Sequence, residues 1–292
     1  MTLEQLRIFV GVAEREHMTR AAEALHVTQS TASAAIAALE SEHGVPLFHR
    51  IGRGIELTDA GRAFLIESRA VLDRAAGAER VLSEFGTLKR GALRLVASQT
   101  IAGYWLPGHL ATYRARYPQV DVTLDIANTE QAERRVLSGA AELGFVEGGV
   151  DHESLDHWPV GRDRMLLVSR EPARSGEPVD ARWLRQAPWI MREHGSGTRS
   201  TFEETLAARG VDPAGLNVVL TLPSNESVRT AVEAGAGVAV LSALVVARAV
   251  ATGVLHTLPF ELPARPFYGL QHTERYRGKA ACALLNCIEE NQ

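Results

Sequence analysis

The segment MTRAAEALHVTQSTASAAIAALESEHGVPLFHR, residues 18–50, decides how the N-terminal part of this chain folds. It reads as two short helices joined by a tight turn. The first, from Thr19 to about His26, is rich in small residues: Ala21, Ala22 and Ala24 leave room for another helix to cross closely. The second begins near Thr28 to Ser30 and runs to about Glu42. Its apolar residues Ala32, Ile36 and Leu39 recur at i, i+4 and i+7, the spacing of one buried helix face. Thr28, Gln29, Ser30, Thr31 and Ser33 give its leading end short, uncharged polar groups. Amides and hydroxyls in that position are what a major-groove reader aims at base edges. An ordinary helical hairpin with a polar surface has the same spacing.

Leu3 to Glu14 forms a helix with Leu6, Phe9, Val10 and Ala13 on one face, which closes a three-helix core. Gly44 and Pro46 mark a turn before the apolar anchors Leu47 and Phe48. Gly52 and Gly54 bracket Arg53, and Ile55 to Leu57 return as a strand, giving a hairpin beside the helices. Arg50 and Arg53 then become candidate backbone or minor-groove contacts, although a solvated turn arginine fits Arg53 as well. Thr58 is a good N-cap and Asp59 suits a first helical turn. Phe64, Val71, Ala75, Ala78, Leu82 and Phe85 follow as a heptad-like stripe, over about 28 residues or about 42 Å. Self-association is the economical use of such a seam; packing on the chain's own C-terminal part is the other. Gly86 and Gly91 mark the helix end and a hinge.

From Gly91 the pattern changes to alternating strands and helices. GALRLVAS, VDVTLDIA, ELGFVEG, RMLLVS, PWIM, NVVLTL, GVAVL and PFYGLQH read as strands, with helices between, including 102–117 and 129–138. Such alternation predicts parallel-sheet α/β structure. About 200 residues hold more strands than one compact unit needs, so two α/β lobes with a cleft are expected.

The chain has 292 residues, 46% hydrophobic and 23% charged, and a formal net charge of −4, a globular composition with ample core material. The first 60 residues hold five Arg and no Lys against eight acidic residues, a balance of −3. Bulk charge therefore weakens the electrostatic argument for DNA binding, which local placement of Arg20, Arg50 and Arg53 and dimerisation would rescue. Cys282 and Cys287 fall on different faces of a terminal helix, so a mutual disulfide is not expected. The N-terminus lacks a basic region before its apolar residues, and the longest apolar stretch, Ala234 to Ala247, is too short to span a bilayer. A cytoplasmic protein without membrane contact is expected.

In open α/β sheets ligands sit beyond the carboxyl ends of strands. Ser98-Gln99-Thr100 follows one strand, Asn128-Thr129 follows another, and Gly195-Ser196-Gly197-Thr198-Arg199 opens a helix at 198–209. Helix N-termini offer free N–H groups, and hydroxyls add donors, so a small anion or carboxylate suits this set, with Arg199 nearby. Each site alone also suits plain helix capping. Glu147 ends a third strand, either as an acceptor for a ligand or as a rim carboxylate. Enzyme signatures fail. His152-Glu153 with His157 lacks the zinc-protease spacing, Gly195-Ser196-Gly197 is no nucleophile elbow, and no Walker loop is found. Histidines 17, 26, 43 and 49 show no metal-ligand pattern. No catalytic residue, metal site or cofactor is expected.

The order and spacing of Leu6, Phe9, Ala21-Ala22, Leu25, Val27, Gln29, Ser33, Ile36, Leu39-Glu40, Gly44, Leu47-Phe48, Arg50, Thr58 and Gly61 resembles the LysR-type transcriptional regulators along essentially the full chain. The resemblance implies a winged helix-turn-helix at 1–58, a dimerising linker helix at 59–88 and a two-lobed, periplasmic-binding-protein-like effector domain at 89–292. Lobe I would take about 91–162 and 267–292, and lobe II about 163–266. It also implies a homotetramer, a dimer of dimers, on double-stranded promoter DNA. Two departures stand out: Ser30 where members often have Pro, and Ala34 where they often have a basic residue. The segments ASQTIAGYWLPGHL, IANTEQ, LGFVEG, REHGSGTR and LPSNESV resemble the branch of sulfur-anion and carbon-fixation regulators, and QSTASAAI resembles members that respond to sulfite. A small oxyanion or compact carboxylate is therefore implied as effector, sulfite or sulfate first. Ser98, Thr100, Asn128, Thr129, Ser196 and Thr198 would be its donors. The competing reading is a small-solute-binding module whose N-terminal helices serve only assembly.

Overall fold

A computed structural model describes residues 1–51, 54–84, 91–173 and 178–291. The chain divides into two compact units, Met1–Ser83 and Glu84–Gln292.

In the first unit α1 (Leu3–Arg15), α2 (Met18–Ala24) and α3 (Gln29–His43) pack through Phe9, Val12, Ala21, Ala22, Ala32, Ile36 and Leu39. Ala21 and Ala22 of α2 are fully covered, as close helix crossing requires, whereas Ala24 is exposed and takes no part in the crossing. Helix α2 stops earlier than its composition suggests, because His26 adopts a left-handed φ of 55° and turns the chain into α3. Thr28 caps α3, accepting from the Thr31 amide at 3.1 Å. Strands β1 (Phe48–Ile51) and β2 (Gly54–Leu57) pair antiparallel as the expected hairpin. A carboxylate on α3 fixes its position: Glu40 Oε1 accepts from the Leu47 and Phe48 amides at 2.7 and 3.2 Å. Helix α4 (Asp59–Glu84) follows. It starts tightly against the hairpin, and a Cβ at Gly61 would stand 2.2 Å from the Leu47 carbonyl oxygen. Phe64 joins the core against Phe9 at 4.8 Å between ring centroids, whereas Val71, farther along the stripe, is 42% exposed. Phe85 and Gly86 lie outside the described residues.

The second unit is built on β3 (Gly91–Ser98), β4 (Val120–Ala127), β5 (Leu143–Glu147), β6 (Leu155–Ser169), β9 (Ala239–Ser242), β10 (His256–Thr257) and β11 (Ala264–His272). They form one seven-stranded sheet in the order β10-β6-β11-β5-β3-β4, with β9 also pairing β6. Strands β3, β4 and β5 are parallel, but β11 pairs antiparallel with both β5 and β6, and β6 antiparallel with β9 and β10. The parallel-sheet expectation holds for β3, β4 and β5 and is corrected for β6, β9, β10 and β11. Two long strands carry the chain between lobes, and each reverses direction relative to its neighbours. Strand β6 pairs with β11 up to Arg164 and with β9 from Met165, so the sheet changes partners between the lobes. A separate parallel pair, β7 (Trp189–Arg192) and β8 (Val218–Leu222), completes the second lobe.

Helices α5 (Leu106–Arg116), α6 (Thr129–Ser138) and α11 (Lys279–Glu289) cover the first lobe. Helices α7 (Ala181–Gln186), α8 (Gly197–Ala208), α9 (Asn225–Glu233) and α10 (Ala243–Ala251) cover the second. A π turn at Ile101–Trp105 links β3 to α5. Each lobe has apolar clusters on both faces of its strands, centred on Leu95 and Phe145, Val96 and Val146, Trp189 and Phe202, and Val168 and Val246. The stretch Ala234 to Ala247 becomes strand β9 and the start of α10. Cys282 is exposed and Cys287 buried, both as free thiols.

Candidate functional site

Two places gather the singled-out residues. The first is the leading end of α3. Thr28 Oγ1 lies 2.8 Å from the hydroxyls of both Ser30 and Thr31, so these three form a local cap. Gln29 and Ser33 are exposed, and Ala34, Ala37 and Ala38 leave the adjoining surface short and uncharged. The end of α3 therefore presents an amide, hydroxyls and methyl groups at the surface. Arg50 lies in β1, and Arg53 lies outside the described residues.

The second place is between the lobes of the second unit. The ends of β3 (Ser98, Thr100), β5 (Glu147), α8 (Ser196, Thr198) and α9 (Asn225) meet there, with Asp163 of β6 and Arg265 of β11, all buried. Asp163 and Arg265 are register partners in neighbouring strands. Arg265 Nε and Nη2 donate to Asp163 Oδ2 at 3.1 and 2.8 Å. Nη2 also stands 3.4 Å from Glu147 Oε1, Nη1 donates to Thr198 Oγ1 at 3.2 Å, and Nη2 to Thr100 Oγ1 at 3.4 Å. Ser242 Oγ donates to the other Asp163 oxygen at 2.9 Å. One guanidinium thus faces two carboxyl groups, so attraction for an anion must come from N–H and O–H dipoles rather than a surplus cation.

Those dipoles converge at α8. Asn128 caps α6 and Ser224 caps α9, each in a reciprocal capping box, but Ser196 makes no side-chain cap on α8. Ser196, Gly197 and Thr198 are all buried, and a buried helix start without a cap leaves donors seeking a partner. Helix α8 starts tightly against the end of β5. A Cβ at Gly197 would stand 2.0 Å from the Glu147 carbonyl oxygen. Ser98 Oγ and Glu147 Oε2 are likewise buried without a hydrogen-bond partner.

The lobes are tied at two edges. At one, Gln99 Nε2 donates to Pro223 O at 2.9 Å, Gln99 Oε1 accepts from the Asn225 amide at 2.8 Å, and Tyr104 donates to Glu226 at 3.0 Å. Burial and the neighbouring Glu226 carboxylate both push the Tyr104 phenol above its ordinary pKa. At the other, Asn128 Nδ2 reaches Glu193 and the His194 carbonyl at 3.4 and 3.5 Å, and the Glu130 amide reaches Gly195 O at 3.3 Å. The first edge is the tighter.

Comparison with known proteins places these features. Residues 3–62 match the bacterial regulatory helix-turn-helix protein, lysR family, and residues 86–292 match the LysR substrate binding domain. The chain belongs to the LysR family. It is 31% identical over 96% of its length to the Escherichia coli K12 protein described as the uncharacterized HTH-type transcriptional regulator YeiE, covering 94% of it. It is 32% identical over 91% of its length to the RuBisCO operon transcriptional regulator of Allochromatium vinosum, covering 83% of it. Its fold matches full-length CbnR in complex with target DNA at a TM-score of 0.73, with 21% identity and full coverage of both chains. It also matches the Synechocystis PCC6803 CcmR regulatory domain in complex with 2-PG, at a TM-score of 0.62 and 25% identity, covering 69% of this chain and 97% of that one. This LysR-family chain is thus a DNA-binding transcriptional regulator with an effector-binding domain.

Within that frame the candidate effector residues divide. Ser98, Thr100, Glu147, Ser196, Gly197 and Thr198 come together between the lobes. Gln99 and Asn128 are engaged in tying the lobes. The Thr129 hydroxyl donates to the Glu147 carbonyl at 2.8 Å, so its proton is already used. Arg199 turns along its own helix, where Nε binds Glu203 at 2.7 Å and Nη1 donates to the Arg192 carbonyl at 3.0 Å. It buttresses α8 instead of reaching the cluster. Sequence reasoning missed Arg265, Asp163, Asn225, Arg192 and Ser242. Arg192 and Asn225 fall in the segments REHGSGTR and LPSNESV without a role being legible there, Asp163, Ser242 and Arg265 border the strand-like runs, and the pairing of Arg265 with Asp163, 102 residues away, is invisible without the register.

Proposed function

We propose that this regulator reads promoter DNA through Gln29 and Ser33 of α3, with Arg50 and Arg53 on the backbone, and answers to a small anion bound between the lobes. Gln29 suits bidentate recognition of adenine. The observation that carries the effector reading is the buried, uncapped start of α8, flanked by the Ser196 and Thr198 hydroxyls and joined by Ser98 and Thr100. A sulfite- or sulfate-like oxyanion or a compact carboxylate suits these neutral donors. The likeness to CcmR, solved in complex with 2-PG, supports the same choice. Ligand binding shifts the lobes between pre-existing arrangements and so alters the grip on DNA. The exposed Val71 on the α4 stripe supports pairing of two copies, and a dimer of dimers in the cytoplasm completes the reading. The cluster holds no nucleophile–base pair, which favours a regulator without enzymatic activity.

Binding to the promoter region beside its own gene tests the first part: Gln29→Ala should lose sequence discrimination, and full retention refutes the assigned role. Calorimetric titration with sulfite, sulfate, phosphate and small carboxylates tests the second. Ser196→Ala and Thr100→Ala should each weaken binding by about 1–3 kcal/mol, and unchanged affinity in both removes the site.

A further inference from the structure

We infer that Asn225, with the guanidinium groups of Arg192 and Arg265, fixes the Thr100 hydroxyl as a hydrogen-bond donor into the cleft, so that the ligand atom meeting Thr100 is an acceptor. The inference rests on the anion reading above and names the residues that enforce it.

Arg192 in β7 is 4% exposed. A guanidinium only donates. Its Nη1 bonds Asn225 Oδ1, so the amide oxygen must face Arg192 and the amide nitrogen must face the other way. That settles the orientation that an asparagine by itself leaves open. Asn225 Nδ2 then donates to Thr100 Oγ1 at 3.0 Å, and Arg265 Nη2 supplies a second donor at 3.4 Å. A hydroxyl oxygen has two lone pairs and one proton. Both lone pairs of Thr100 are taken by groups that cannot accept, and the proton has no acceptor among the described residues. Thr100 is fully buried, so an acceptor reaches its proton only when the lobes shift as proposed above.

Asn225 is itself clamped. Its backbone amide donates to Gln99 Oε1 at 2.8 Å, its side chain is bound at both ends, and it is 1% exposed. Thr198 follows the same logic at half strength, with one lone pair taken by Arg265 Nη1. Thr129 is the contrast: its proton is spent on the Glu147 carbonyl, leaving lone pairs only. Asn225 is thus a positioning residue acting through Thr100.

A double-mutant cycle on the full chain tests this. Asn225→Asp is isosteric but offers Thr100 an acceptor, so the Thr100 proton turns back and the donor is lost. The added charge opposes any anion independently of Thr100, and Thr100→Val isolates that contribution. Sulfite, sulfate and inorganic phosphate are titrated calorimetrically into the wild type, both single variants and the double variant. For the best-bound anion, Asn225→Asp should cost at least tenfold in affinity with Thr100 present and no more than threefold in the Thr100→Val background. Equal losses in both backgrounds overturn the relay while leaving the anion reading intact. No binding of these three anions or of the small carboxylates titrated above to the wild type overturns both. Asn225→Ala, run through the same cycle, decides the matter if the aspartate variant does not fold. Coupling above twofold supports the relay, and additivity overturns it.

Discussion

Arg265→Met should unfold the effector half far more easily than its conservative volume suggests. In the native chain Arg265 is 3% exposed and binds Asp163 twice, at 2.8 and 3.1 Å, with Glu147 at 3.4 Å. Both carboxyl groups are buried, and Glu147 has no other side-chain partner for Oε1 among the described contacts. Removing the cation leaves two buried acids facing each other's field, a change that costs about 3–5 kcal/mol. For a unit of this size that corresponds to about 6–20 °C in Tm. All four tryptophans, at 105, 158, 183 and 189, lie in the second unit, so tryptophan fluorescence follows this half selectively in the intact protein. Adding Asp163→Asn and Glu147→Gln should restore most of the loss, since neutral amides need no counter-ion. A loss below about 1 kcal/mol for Arg265→Met, or a triple variant no more stable than the single, would refute the reasoning.

Three further outcomes follow from other contacts. Gly197→Ala places a methyl 2.0 Å from the Glu147 carbonyl oxygen, and should cost about 1–3 kcal/mol, read as a fall in the same fluorescence Tm, together with anion affinity. Glu40→Ala removes the acceptor for the Leu47 and Phe48 amides and should lower the stability of the DNA-binding unit by about 1–3 kcal/mol. Circular dichroism melts check this, with the tryptophan transition unmoved. Burial holds the His109 pKa below its ordinary 6.5, so the unfolded chain takes the proton first. The stability it contributes is complete above that ordinary value, falls as pH drops through it and levels off below the lowered folded value. Melts from pH 7.5 to 5 should therefore show a flatter decline for His109→Gln than for the wild type.

Much of the DNA-reading half was legible in the chain because its determinants are local. Helix α3 follows from the spacing of Ala32, Ile36 and Leu39, and the hairpin from Gly44, Pro46, Gly52 and Gly54. Strand β6 was less legible. Its first half, LDHWPVGRD, mixes polar residues with Pro159 and Gly161, and it is a strand because β11 lies beside it.

Local residue patterns were enough for the helix-turn-helix, the long α4 and the alternation of strands and helices, since periodicity, capping and turn residues act within a few positions. It also marked Ser98, Thr100, Ser196 and Thr198 as strand-end and helix-start hydroxyls. Only the tertiary structure decided which of them face a common space, and that Arg265, Asp163 and Asn225 govern them. Those partners are set by strand register and by the closing of one lobe on the other. Both minimise unpaired buried polar groups over the whole domain, and no short window of sequence contains that sum.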